Sequence, residues 1–226
     1  MQVKDVIVPP MIMVSIDKPT GITSQAVVNR VRQITGVKKV GHAGTLDPLA
    51  TGLVIICTGQ ETKNIERYQS LVKEYIATFR LGATTPSFDL ETEIDGSFPF
   101  EHINEEMLKE VLKNYTGEIV QEPPAFSAKF VDGVRAYKYA RQGKDIKLSG
   151  SKITVHKLEV LNFNLPYISL RIECSKGTYI RALARDIGRS LQSGAHLTDL
   201  VRKRIGDFHV ENALNIEEFE RNLVFL

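Results

Sequence analysis

Gly41-His42-Ala43-Gly44-Thr45-Leu46-Asp47-Pro48-Leu49-Ala50-Thr51-Gly52 carries more information than any other stretch of the chain. Three glycines and a proline in twelve residues predict a tight, structured loop, with an acid placed just ahead of a strand. Loops on rigid scaffolds are where catalytic groups concentrate. The Asp47-Pro48 step also turns the aspartate away from helical geometry. Two readings follow from the residues: a reactive carboxylate, or an aspartate that organises a turn through its own backbone. Spacing alone favours the turn. Gly41–Gly44 fits the GXXG clamp of KH domains as well, but four residues of that kind are too common to discriminate.

Working outward, Met11–Ile16 predicts a buried strand and Lys18-Pro19-Thr20-Gly21 a turn. Thr23 or Ser24 can cap a helix with Val27, Val28, Val31 and Ile34 on one face and Gly36 as its stop. Val37–Asp47 is read as loop, Leu53–Cys57 as a central strand, Glu61–Leu71 as helix and Glu74–Arg80 as strand. A polar loop, Gly82–Gly96, and a short amphipathic helix, Glu105–Asn114, come next. Ser127–Arg135 predicts a hairpin turning at Asp132-Gly133, followed by a helical turn at Tyr137–Arg141. Lys152–Phe163 and Tyr167–Cys174 alternate as strands, and Thr178–Leu191 carries an apolar stripe of Ile180, Leu183, Ala184, Ile187 and Leu191. A last helix is expected at Ile216–Asn222. Hairpins outnumber βαβ patterns, so the fold class is α+β on a largely antiparallel sheet. No linker splits the chain, and a single domain over 1–226 is expected, with 122–148 as a projecting insertion.

Composition excludes several classes. With 42% hydrophobic and 25% charged residues the chain is an ordinary globular protein rather than a disordered one. Cys57 and Cys174, without CxxC spacing, predict neither disulfide nor zinc site, and buried thiols suit a reducing cytosol. The N-terminal apolar run is too short for a signal peptide, and no stretch approaches a membrane span of about 18 apolar residues. The net charge of +2 says little. Its distribution says more: residues 89–110 are acidic, whereas Arg181, Arg185, Arg189, Arg202, Lys203 and Arg204 are basic, which fits a polyanion groove or two solvated helix faces.

The Gly41–Gly52 loop resembles the signature of TruB-type pseudouridine synthases, Gly-His-Thr-Gly-Ala-Leu-Asp-Pro-Leu-Ala-Thr-Gly, with Ala43 and Thr45 exchanging two small residues. Four further segments agree in order: Asp17–Ser24; Lys73-Glu74-Tyr75; Pro123-Pro124 through Ser127-Ala128-Lys129 with Gly133, Arg135, Tyr137 and Arg141; and Ser175-Lys176-Gly177-Thr178-Tyr179-Ile180-Arg181. Together they run from about residue 11 to residue 208.

The resemblance implies the pseudouridine-synthase catalytic fold, a mixed and largely antiparallel sheet flanked by helices with a projecting thumb. Bacterial family members commonly carry a C-terminal PUA domain, but only a short helix, Ile216–Asn222, follows the core in this sequence, so none is expected. The resemblance also implies isomerisation of the T-loop uridine at position 55 of transfer RNA by base flipping, in the cytoplasm, by a monomer, with no cofactor, metal or membrane. Asp47 would attack the ribose or stabilise the charge that develops there, Arg181 would partner it, and Tyr75 would stack on the flipped uracil. His42 would hold the T loop open. Lys18, Lys63, Lys129, Arg141 and Lys176 would contact phosphates, with Tyr179 also at the substrate. A tRNA-folding helper that needs no catalysis is the alternative. An aspartate-dependent nucleoside or glycoside hydrolase ranks last, because no second acid sits in a comparable loop.

Overall fold

Thr23 starts the first helix through its side chain: Oγ1 accepts the Ala26 amide at 3.0 Å. The helix, α1 (Ser24–Thr35), stops at Gly36, whose φ of 68° sends the chain into the left-handed region. The computed structural model describes residues 12–131, 133–144, 146 and 148–223. Met11 and Asp132, which belong to the expected first strand and hairpin turn, lie outside them.

The described residues form two compact units, one drawn from 12–74 with 201–223 and one from 75–200. In the first, β1 (Met13–Lys18) pairs antiparallel with β3 (Thr51–Thr58). β2 (Val40–His42), inside the stretch expected to be loop, pairs with the end of β3. β4 (Lys73–Leu81) and β12 (Ala195–Ile205) each run from one unit into the other; Val201 and Arg202 of β12 lie parallel to Thr51 and Gly52. β13 (Phe208–His209) folds back on β12. Leu53, Ile55 and Cys57 of β3 form one buried cluster with Ala43 and Ile205, backed by Met13, Ile65, Tyr68 and Phe208. Every residue from Leu53 to Cys57 is buried, so both faces of β3 are covered. Burial pushes the Cys57 thiol up to about 12, which leaves it protonated and inert. The helix expected at 61–71 is a 3-10 turn (Gly59–Asn64) running into α2 (Ile65–Ser70).

In the second unit the strand order is β12, β4, β11 (Tyr167–Cys174), β10 (Ser151–Asn164), β7 (Gly117–Gln121). Both β11 and β7 are antiparallel to β10. Between β4 and β7 come the short pair β5 (Ala83–Thr84) and β6 (Gly96–Ser97), then α3 (Glu105–Lys113), capped by Asn104. β8 (Phe130–Val131) and β9 (Val134–Arg135) form the expected hairpin and lead into α4 (Ala136–Ala140). α5 (Ile180–Ser190) packs on α3, and α6 (Ile216–Leu223) packs on β1 and α1 in the first unit. The fold class is the expected α+β, a mixed and largely antiparallel sheet flanked by helices. No helix among the described residues is long and apolar enough to cross a membrane.

Candidate active site

The loop carrying Asp47 is fixed by its carbonyl oxygens. Six in succession, Gly44 to Leu49, each have a donor. Arg202 reaches Gly44 O through Nη2 and Thr45 O through Nη1, both at 3.3 Å. Ser24 Oγ donates to Leu46 O at 3.1 Å and accepts the Leu46 amide at 2.9 Å. Asp47 O accepts Ala50 N–H at 3.1 Å. Pro48 O takes Lys18 Nζ at 3.2 Å and Gly21 N–H at 2.8 Å. Leu49 O takes Thr20 Oγ1 at 3.0 Å. Backbone groups so paired have nothing to gain by rearranging.

Two glycines of the signature have geometric reasons. Gly44 has φ 105° and Gly52 φ 103°, where a side chain is strained. At Gly52 a Cβ would also strike the Arg202 carbonyl across the parallel rung. Arg202 in turn anchors the end of the loop, its Nε donating to Leu53 O at 2.7 Å.

Lys18 departs from its expected role. It is 0% exposed, and its ammonium also donates to Pro19 O at 2.8 Å and Ile22 O at 2.9 Å. An ammonium enclosed by three carbonyls is a strut for the turn and loop, not a phosphate contact. Burial lowers it to about 8, opposed by the neighbouring Asp47 carboxylate. His42, on β2, is half-buried; burial holds its imidazole below the usual value, and its Nδ1 has no hydrogen-bond partner among the described residues. Lys63 is exposed at the end of the 3-10 turn.

In the second unit Arg181, 4% exposed, is the second residue of α5. Its Nη1 donates to Ser87 O at 3.1 Å and Nη2 to Phe126 O at 3.0 Å, and its Nε lies 3.5 Å from Asp89 Oδ2. The start of α5 is pinned by Gln121, which accepts the Tyr179 amide at 2.8 Å and donates to Tyr179 O at 3.1 Å. Tyr75, on β4, is buried. Arg185 forks onto Asp186 at 2.7 and 3.0 Å and covers the Phe88 ring. The basic stretch is therefore not one solvent-facing groove, because Arg181, Arg185 and Arg202 are all buried. Lys176 is exposed. Lys129 is tied to Ser149 O at 2.7 Å and Ser151 Oγ at 3.2 Å. Arg141 is exposed, paired with Glu91 at 2.6 Å, with its guanidinium over the Tyr137 ring. Arg202, Ser24 and Asp89 were not singled out as site residues by sequence. Arg202 and Ser24 bond backbone atoms, which leave no mark in a residue pattern, and Asp89 sits in a run of other acids.

The family model for TruB family pseudouridylate synthases (N terminal domain) matches residues 32–180. The chain belongs to that family. Among its relatives, tRNA pseudouridine synthase B of Phocaeicola vulgatus is 58% identical, covering 90% of this chain and 89% of the relative. The enzyme of the same name from Dehalococcoides mccartyi is 44% identical, covering 92% and 69%. Among solved structures, a Cbf5-Nop10-Gar1 complex matches with a TM-score of 0.73 at 25% identity. An H/ACA RNP bound to a substrate RNA containing 2'-deoxyuridine matches at 0.71 and 25%. This chain is covered completely in both matches and spans 56–57% of those longer chains. The family's fold and this chain's fold agree.

Proposed function

We propose that this protein isomerises the T-loop uridine at position 55 of transfer RNA to pseudouridine, with Asp47 as the catalytic carboxylate. The observation that carries the reading is Asp47 itself, the one acid of a family signature whose backbone is bonded at every carbonyl from Gly44 to Leu49. A group that must meet one ribose carbon gains from such preorganisation.

The reaction breaks C1′–N1 and forms C1′–C5; the C5 hydrogen leaves as a proton and N1 ends protonated. There is no net redox change, so the chemistry calls for no redox cofactor. Asp47 acts at the ribose, Arg181 is the second catalytic residue, and Tyr75 stacks on the extruded uracil, offsetting part of the unstacking cost of a few kcal/mol. His42 holds the T loop open once the uridine leaves the stack. Lys63, Lys129, Arg141 and Lys176 position the phosphates, and Tyr179 lies at the substrate end of α5. The chain acts as a cytoplasmic monomer and a single catalytic domain, in which 122–148 grips the T arm.

The test is tritium release from a T-arm stem-loop labelled at uracil C5. One equivalent released, and none when that uridine is replaced by cytidine and label is carried by the other uridines, supports the reading. No release from the stem-loop or from full-length transfer RNA would leave an RNA-binding protein without this activity.

A further inference from the structure

Three peptide planes lie immediately before Asp47, and two side chains hold all three. Arg202 takes the carbonyls of the planes 44–45 and 45–46, and Ser24 Oγ takes the carbonyl of the plane 46–47. Ser24 also accepts the Leu46 amide, so one hydroxyl fixes both polar groups of that residue. Each peptide is planar, so fixing the Leu46 carbonyl also fixes the Asp47 amide and the position of its Cα, and the Ala50 N–H bond to Asp47 O restrains the rotation about N–Cα that directs the carboxylate arm. Both residues are 1% exposed, so neither can meet RNA. With Gly44 at φ 105° and Gly52 at φ 103°, the loop begins and ends on residues that would otherwise let it swing.

We propose that Arg202 and Ser24 are positioning residues for Asp47: they set the aspartate's aim through the loop backbone and touch neither RNA nor the reacting atoms. This rests on the reading of Asp47 as the catalytic carboxylate. Lys18 props the far side of the loop, at Pro48, and the turn at 19–22. Arg202 and Ser24 act on the near side, where the aim is set.

The experiment compares Ser24→Ala, Arg202→Lys and Val31→Ala in single-turnover conversion of a T-arm stem-loop, with RNA affinity and thermal stability measured on the same preparations. Val31 is a fully buried residue of α1 outside the loop and reports what destabilisation alone does. Misplacing a reacting group by about 1 Å costs on the order of 100-fold, so Ser24→Ala and Arg202→Lys should lose roughly 10- to 100-fold in rate at saturating RNA. Their Kd should stay within about two-fold, because phosphate contacts elsewhere set affinity. Val31→Ala should keep its rate despite a lower Tm. Ser24→Ala removes only a hydroxyl, so it keeps the test open if Arg202→Lys does not fold. Rates for both variants that match Val31→Ala, or losses confined to Kd, would overturn the proposal. Asp47→Asn runs alongside: if it turns over like wild type, the reading of the aspartate has failed and the proposal goes with it.

Discussion

In the loop around Asp47 six successive carbonyls are bonded, three of them by side chains from β12 and α1, and Ala43, Leu46 and Ala50 are buried beneath it. In the segment 122–148 the strands are two residues long, the helix has five residues, and Phe130 is 58% exposed. Within that segment Ala136 N–H donates to Lys129 O at 2.8 Å, Tyr137 N–H donates to Ser127 O at 3.0 Å and Arg135 stacks on Phe130 at 3.8 Å, while Arg181 and Arg185 of α5 donate to Phe126 O and Glu122 O. Under the proposed function the contrast separates two jobs. A carboxylate that must meet one carbon is best built in advance, whereas a surface that grips a folded RNA can take its final form on binding.

The comparison can be broken most severely at the aspartate. Asp47→Asn should lower single-turnover conversion by roughly 10⁴-fold or more while leaving RNA affinity nearly unchanged. Comparable loss from a substitution in 122–148 would erase the division of labour. The next effect concerns stability. Leu53→Ala, at the loop's buried end, should cost about 2–5 kcal/mol in denaturant unfolding, whereas Phe130→Ala should change stability by less than about 0.5 kcal/mol. Equal losses would show that the segment is as firmly built as the loop. Arg141→Ala should weaken stem-loop binding several-fold and reduce the salt slope by about one, with the bound RNA converted at the wild-type rate. Its pair with Glu91 is exposed and contributes little to stability, so melting should not move.

A further effect is a pH dependence. The folded Lys18 ammonium titrates at about 8, against an ordinary 10.5. Between those values the unfolded chain holds a proton that the folded chain has released, and high pH removes the proton the unfolded state favours. Stability of the wild type relative to Lys18→Met should therefore rise as pH increases from about 8 to about 10.5. A flat difference would mean that Lys18 is not the enclosed cation described.

Much of this architecture is legible in the residues. The Thr23 cap, the Gly36 stop and the alternation of β11 are local signals, and both elements, α1 and β11, begin and end within a residue or two of where those signals place them. β12 is not legible, because its interior places a buried arginine among apolar residues and its 195–205 pattern reads as a charged stretch. β7 is not legible either, because its five residues expose Val120, half-bury Ile119 and bury only Gln121. The site shows the same divide. Asp47 is marked by its loop, but Arg202 and Ser24 act on carbonyls 22 or more residues away, and only coordinates reveal such partners.

Hydrogen exchange of the free protein and of its complex with a T-arm stem-loop tests the central contrast most directly. The Ala43, Leu46 and Ala50 amides, bonded to Ile55 O, Ser24 Oγ and Asp47 O, should be protected without RNA and change little when it binds. The amides of 128–131 and 133–135, in and beside the two-residue strands, should exchange faster than those of the loop in the free protein and slow markedly in the complex. Fast exchange at Leu46 and Ala50 that is lost only on adding RNA would show that the aspartate loop is assembled by its substrate, contradicting the account.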